Sequence, residues 1–506
     1  MIRLLSRGLL VVHRYLGVGV GLLMTLWCLS GFVMLYQGFP SLTDAERLEG
    51  LQPLDLSACC DLDRLPFTDD QIVPGFRVEM LGGDPVIRFS GTPRRGAAVQ
   101  NAPTGSYNLR TGEPVKTLDD AQVRQVAAEY AARHGLEGAL VARRLDKVDQ
   151  WTIQAGRRAP LYQIAVNDPA GSEIYVSAAS GEVVQDTNRR ERVLSWFGAI
   201  PHWLYPTVLR SNGALWTQVV IWTSVAGVFL TVTGLYVGIS RFGRRKNGRW
   251  SPFRGLWYWH HIIGLVFGLF TLTWVLSGLL TMNPWGLLDG TPNNLRRSLT
   301  GTHTWAEAKG LIARVGHASA PGRGVAQLRS ATFGGELSGV TVGPQGVVQR
   351  WTVAGPVQPL EAAAVRAVIE NKASAPIAQF DLLTKADAYY YGFKTPVAWP
   401  VYRAILHDDQ ATRLYVDPKT AEVVRIADAS SRASRWWRNG LHSLDVVRAR
   451  PLWDGLAILL LAGVTLVCGT GAWMSIRRTK RDLTALRWGL ADLSSRLVGR
   501  GRRERR

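Results

Sequence analysis

The chain has 506 residues, of which 47% are hydrophobic, and its formal net charge is +20. That length is too great for one ordinary domain, and four long uncharged apolar runs exclude a wholly soluble protein. The cationic excess lies in short segments beside those runs, so membrane topology accounts for it and nucleic-acid binding is not expected.

The first apolar run, Tyr15–Tyr36, follows His13 and reads His-x3-Gly17-x3-Gly21, then Trp27-x-Leu29-Ser30-Gly31. It exceeds a signal-peptide core and no small-residue cleavage site follows Tyr36, so residues 1–37 are read as an uncleaved span. Residues 38–205 read as an external α+β domain. Thr117 with Asp120 forms a capping box for a helix running to His134, with Val123, Val126, Ala127 and Tyr130 on one face. Strands are predicted at Gln150–Ala155, Leu161–Val166 and Glu173–Ser177, and Gly91–Gly112 reads as a loop.

A second span occupies 206–240, with Leu215–Ile239 uncharged. The loop 241–255 that follows carries six basic residues and no acid. The third span, 256–282, leads into a second external α+β domain over 283–445. There Thr304-x-x-Glu307 caps one helix and Leu360–Lys372 forms another. Strands are predicted at Ala388–Tyr391, Val401–Leu406 and Arg413–Val416, and Pro321–Gly324 is a loop. The fourth span covers 446–476. The tail 477–506 holds eleven Lys and Arg against three acids. By the positive-inside rule both termini and the 241–255 loop are cytoplasmic, and the two long segments lie outside.

Four cysteines add little. Cys28 and Cys468 lie in apolar runs as packing residues. Cys59 and Cys60 are adjacent and are not expected to bridge each other. No CxxC or CxxCH occurs, so neither a c-type haem nor a zinc motif is indicated.

The chain repeats itself. At a constant offset of 247, His13, Gly17, Gly21, Trp27, Leu29, Ser30 and Gly31 recur as His260, Gly264, Gly268, Trp274, Leu276, Ser277 and Gly278. At an offset of 240, Tyr162, Tyr175-Val176, Glu182-Val183-Val184, Trp196, His202 and Leu204 recur as Tyr402, Tyr415-Val416, Glu422-Val423-Val424, Trp436, His442 and Leu444. Thr233-Gly234 matches Thr470-Gly471. The expected fold is thus a membrane bundle of four transmembrane helices with two external α+β domains, built as a tandem parallel repeat about a pseudo-two-fold axis along the membrane normal.

Repeated histidines at two depths are what two b-type haems need, because such a haem is held only by its axial ligands and packing. His13 and His260 would ligate one haem on the cytoplasmic side, and His202 and His442 a second on the external side. Gly17 and Gly264 lie one turn beyond their histidines on the same face, where a missing side chain admits a flat macrocycle. His261 points about 100° away from His260, and three roles stay open for it: propionate partner, loop contact, or ligand in place of His260. His134, His303, His317 and His407 are read as ordinary interfacial histidines. Pro206 and Pro451 separate His202 and His442 from the following spans, which places these two on short interfacial helices. Trp196, Trp203, Trp436 and Trp437 beside them suit an interfacial belt. Trp27 and Trp274 lie between the two levels, with packing as their expected role. No catalytic acid, base or nucleophile constellation is visible.

The helix starts His13-Arg14-Tyr15-Leu16-Gly17 and His260-His261-Ile262-Ile263-Gly264, with the strand–turns Tyr175–Val184 and Tyr415–Val424, resemble the PepSY-associated transmembrane-helix family of bacterial inner-membrane proteins. The resemblance covers nearly all of the chain outside the basic tail. It implies PepSY-like external domains and a multi-pass inner-membrane location. Some members are similar to iron-regulated ferric-siderophore reductases with a haem on each side of the membrane. Others carry flavin reductase domains, which the short segment after Arg477 is not expected to form. The leading expectation is a di-haem b protein moving electrons from an unknown cytoplasmic donor to a periplasmic acceptor, a ferric siderophore on the strength of the resemblance. A PepSY-type binding or regulatory protein that inhibits a peptidase or senses the envelope is the alternative. A transporter is a third reading, and the absence of acidic residues from the uncharged cores of the spans argues against it.

Overall fold

The computed structural model describes residues 2–57, 59–89, 105–246, 248–289, 294–318, 324–393 and 396–503, with side chains from Arg7 to Trp488. Most of the predicted loop 91–112 and residues 321–323 lie outside the described residues. Two compact units emerge: Met1–Phe39, Leu194–Leu288 and Ser434–Arg506 form one, and Pro40–Val193 with Asp289–Ala433 form the other.

The first unit is built on four helices, Ile2–Met34, Gly213–Arg241, Leu256–Thr281 and Arg450–Arg503. Each is long and apolar enough to cross a membrane. All four carry apolar residues around the whole circumference rather than on one stripe, as a helix in hydrocarbon must. The first and third each pack against the second and fourth, so the four close a ring in chain order. Small residues set the close approaches, as where Gly21 faces Ala472 across the first and fourth helices. A central apolar cluster of Met24, Leu230, Val464 and Cys468, joined by Trp27, Cys28 and Trp274, fills the middle of the ring. Short helices at Ala199–His202 and Leu441–Ser443 precede the second and fourth spans.

The second unit holds two four-stranded antiparallel sheets of the same plan. One pairs, in order, Val141–Leu145, Leu161–Ala165, Glu173–Ser177 and Glu182–Thr187. The other pairs Ile377–Leu383, Val401–Leu406, Arg413–Asp417 and Glu422–Ala427 in that order. Each covers a helix, Asp120–Arg133 in the first and Ala362–Lys372 in the second. The irregularity between the last two strands falls at Tyr175/Val176 in one and at Tyr415/Val416 in the other.

A seven-stranded sheet, not foreseen from the sequence, joins the two long segments. Its centre pairs Phe76–Leu81 with Gln327–Phe333, with Val78 opposite Leu328 and Arg77 opposite Arg329. Each of these strands turns back into a hairpin through a Gly-Gly pair, Gly82-Gly83 and Gly334-Gly335, all four at positive φ. Phe76, Val78 and Ile87 share one core with Trp305, Leu311 and Leu328. Under the sheet lies Glu79, 1% exposed, held by Arg88, Arg47 and Arg77 and by Gln327 Nε2 at 3.0 Å. Burial by itself would raise the Glu79 carboxyl, but the three guanidinium groups hold it below the usual carboxylate range.

Several local expectations are corrected. The helix at Asp120 is capped by Asp119 with Gln122, not by Thr117 with Asp120. Gln150–Ala155 is a turn that runs into a 3-10 helix, Ile153–Arg158, and Ala388–Tyr391 is a loop; neither is a strand. In both an aspartate carboxylate captures the next backbone N–H groups: Asp149 accepts from Trp151 and Thr152, and Asp387 from Tyr389 and Tyr390. That local bonding competes with a strand ladder and wins. Cys59 and Cys60 are bonded to each other, their Cα atoms 3.2 Å apart across a cis peptide. His303 is buried at 5% exposure in a strand opposite Val73, not interfacial.

Candidate haem-binding histidine pairs

His13 projects from the first span against the second. Its Nδ1 lies 3.0 Å from the Leu230 carbonyl and 3.4 Å from Thr233 Oγ1. His260 projects from the third span against the fourth in the same way, with Nδ1 3.0 Å from Thr470 Oγ1 and a bond to the Val467 backbone. A carbonyl can only accept. The Thr hydroxyls already donate to backbone carbonyls of their own helices, so they too accept. Nδ1 therefore carries the proton in both rings, which leaves the Nε2 lone pair as the one available to a metal.

Glycine makes this approach possible. A Cβ on Gly234 would stand 2.6 Å from His13 Cε1, and one on Gly471 would stand 2.9 Å from His260 Cε1. Both rings line one cleft with an empty volume of about 1220 Å³, part of it open to the outside. Its walls are mostly apolar, from Met24, Leu230, Leu235, Trp257, Leu265 and Val467, and Arg14 is its one charged side chain apart from the histidines. Gly17 and Gly264 both line it. A Cβ on Gly264 would meet nothing within 4 Å, whereas one on Gly17 would meet Ser475 Oγ at 2.6 Å, so Gly17 also serves helix packing.

The other end of the bundle carries the second pair. His202 Nδ1 sits 3.0 Å from the Trp27 carbonyl and 3.1 Å from Ser30 Oγ. His442 Nδ1 sits 3.1 Å from Ser277 Oγ, whose hydroxyl donates to the Trp274 carbonyl. The rings approach within 6.3 Å, centroid to centroid, at 62°. Two metal–imidazole bonds of about 2 Å each, plus the ring radii, span about 6 Å. The spacing fits two axial ligands on one metal ion. Trp27 Nε1, on the residue that anchors His202, is buried without a hydrogen-bond partner. Ser30 lies 17 residues beyond His13 on one helix, and Ser277 lies 17 beyond His260. At 1.5 Å per residue that separates the two levels by about 26 Å.

His261 is differently placed. It is 7% exposed, its Nδ1 is 2.8 Å from Ser251 Oγ and its Nε2 is 2.8 Å from the Gly238 carbonyl. Both ring nitrogens are spent, one on the second span at Gly238 and one on the loop that joins the second and third spans at Ser251. Among the described residues no group of three or more His, Cys, Asp or Glu side chains could hold a bare metal ion. The four paired imidazoles, the apolar cleft and the orphaned indole N–H fit a flat, largely apolar group with an axial metal better than a bare ion. Sequence reasoning did not assign the anchoring side chains Ser30, Thr233, Ser277 and Thr470 or the facing Gly234 and Gly471. Their signal was present, because each recurs in the offset matches.

No curated protein matches the chain. A family model described as the PepSY-associated TM region matches residues 10–334, which takes in the first three spans, the whole first long segment and the strand Gln327–Phe333 of the second. The protein is a multi-pass membrane protein with four candidate spans, and it belongs to the PepSY-associated transmembrane family.

Proposed function

We propose that the protein is an inner-membrane di-haem b protein that passes electrons from the cytoplasmic side to a periplasmic ferric siderophore. Two b-type haems, when bound, supply one-electron transfer at either end of the bundle. His13 and His260 hold the cytoplasmic group, and His202 and His442 the external one. The observation that carries this reading is that all four imidazoles are fixed through Nδ1 to a neighbouring helix, in two pairs at two depths. Thr233, Thr470, Ser30 and Ser277 fix the ring orientation and tautomer. Trp27 and Trp274 place aromatic rings in the apolar cluster between the pairs, which keeps water out of the path. Arg14 supplies a cation toward a propionate. In this reading the chain is a tandem repeat about a pseudo-two-fold axis, and the two four-stranded sheets are its PepSY-like modules. The acceptor class rests on the family resemblance. Its chemistry is coherent, because hard oxygen ligands favour ferric over ferrous ion and one electron loosens the chelate.

The test is the absorption spectrum of the purified protein, oxidised and then reduced, with haem counted per chain. Two non-covalent, low-spin haems are expected. His13→Ala or His260→Ala should lose the low-spin signal of one, and His202→Ala or His442→Ala that of the other. A colourless preparation without haem would discard the reading and favour a PepSY-type binding or regulatory protein.

A further inference from the structure

We infer that the buried ion pair Arg435–Asp445 is a positioning device for His442, which it fixes as an axial ligand of the external haem; the inference rests on the di-haem reading. Arg435 Nη1 lies 2.8 Å from Asp445 Oδ1, and the two side chains are 2% and 3% exposed. The pair closes the segment 435–445 on itself, with His442 inside it. The segment begins as a π-helix, Arg435–Gly440, and runs into the short helix Leu441–Ser443 that carries the histidine. π-Helical turns are rare and gather at functional sites. The Arg435 guanidinium lies over the Trp436 ring, 4.7 Å from its centroid. Gly440 leaves room for it: a Cβ there would stand 3.5 Å from Arg435 Nη1 and 3.3 Å from Trp436 Cε3.

The first half of the chain holds its histidine without an ion pair at these positions. At the offset of 240, Ser195, Ile200 and Tyr205 stand where Arg435, Gly440 and Asp445 stand. All three are buried. The backbone after each histidine turns the same way, with Leu204 at φ 50° and Leu444 at φ 52°. Three buried positions thus change together around one histidine while the turn beyond it is kept. Stability alone does not account for the exchange. Taking two charges out of water costs about as much as their attraction returns, and well-packed apolar residues often serve as well. What a buried charge-assisted hydrogen bond adds is direction. Direction matters here, because two axial bonds depend on the 6.3 Å spacing of the His202 and His442 rings, and such bonds tolerate about 0.2 Å. His13 and His260 project from the spans themselves, so the effect of the pair is confined to the external haem.

The test compares the haem spectra, the midpoint potential of each haem and the thermal melt of the full-length protein in nanodiscs. Arg435→Met with Asp445→Leu removes both charges and strands neither partner. The melt should hold. The external haem should lose about half of its low-spin signal or more and shift in potential, while the cytoplasmic haem keeps both. Added imidazole should restore the low-spin signal in that variant, because it fills the axial position that His442 no longer holds; a collapsed site would not respond. Two low-spin haems with wild-type potentials in the double variant would overturn the inference. Loss of both haems with a lowered melt would overturn it too, since that marks a merely structural pair. A wild type without haem would fail the di-haem reading and this inference with it, whereas two haems indifferent to the pair would fail this inference alone.

Discussion

The substitutions Gly234→Ala and Gly471→Ala test the histidine geometry without touching a histidine. The added methyl carbon would stand 2.6 Å from His13 Cε1 in the first and 2.9 Å from His260 Cε1 in the second. Carbon atoms settle at about 3.5–4.0 Å, so each ring would have to retreat by roughly 1 Å. A metal–ligand bond tolerates about 0.2 Å, so the ring cannot both retreat and bind. Alanine is also favoured over glycine in a helix by about 1 kcal/mol, so cofactor loss would not arise from a weakened helix. Either variant should lose the low-spin signal of the haem at this end, roughly halving haem per chain, with the thermal melt unchanged or slightly raised. Gly19→Ala, where the methyl would meet nothing within 4 Å, is the control. Gly264→Ala would meet no protein atom either, yet it projects into the cleft. It should lower haem occupancy only if the cleft is filled. If Gly234→Ala and Gly471→Ala both retain two low-spin haems, the ring positions argued above are refuted.

Three further outcomes are expected. His261→Ala should keep both haem signals and cost about 2–3 kcal/mol in stability, because it removes two buried hydrogen bonds, one to the inter-span loop and one to the second span; loss of a haem with His260→Ala silent would reassign the ligand. Glu79→Gln should destabilise the second unit by about 3–5 kcal/mol in a denaturant melt, since it strips the counter-charge from the buried Arg88 and its neighbours. The Glu79 carboxyl lies below its usual range in the folded chain, so its contribution is full above the ordinary carboxylate pKa and is lost as pH falls through the lowered one; acid melts of Glu79→Gln should show a shallower dependence there, and an unchanged slope would contradict the ion cluster. Reporter fusions after Arg245 should read cytoplasmic and those at Gly346 periplasmic, as the basic loop requires, and the reverse pattern would exchange the faces of the two histidine pairs.

What could be read ahead of the structure follows from what is local. The spans declare themselves as uncharged runs, and the strands Leu161–Ala165, Val401–Leu406 and Arg413–Asp417 as short apolar runs between turns. The histidines stand out because a fixed offset relates them. The loops at Trp151 and Tyr389 misled because aromatic and β-branched residues there look strand-like, while one upstream aspartate decides the backbone. The seven-stranded sheet was illegible for another reason: its central partners, Val78 and Leu328, are 250 residues apart. The Gly82-Gly83 and Gly334-Gly335 turns were a local trace of it. Glu79 likewise reads as a surface charge until the fold gathers Arg47, Arg77 and Arg88 around it.

That central pairing sets an order of events during biosynthesis. At about 5–20 residues per second, the strand containing Val78 waits some 12–50 s for the ribosome to deliver Leu328. Throughout that interval the edge of Phe76–Leu81 presents unpaired backbone groups, a template for pairing with any passing strand. The third span must be made and placed before the sheet can close, so membrane insertion becomes a prerequisite for finishing a domain made largely of other residues. Chains halted or misinserted at that span would carry an open hairpin, and quality-control proteases would meet them as aggregation-prone intermediates rather than as finished halves.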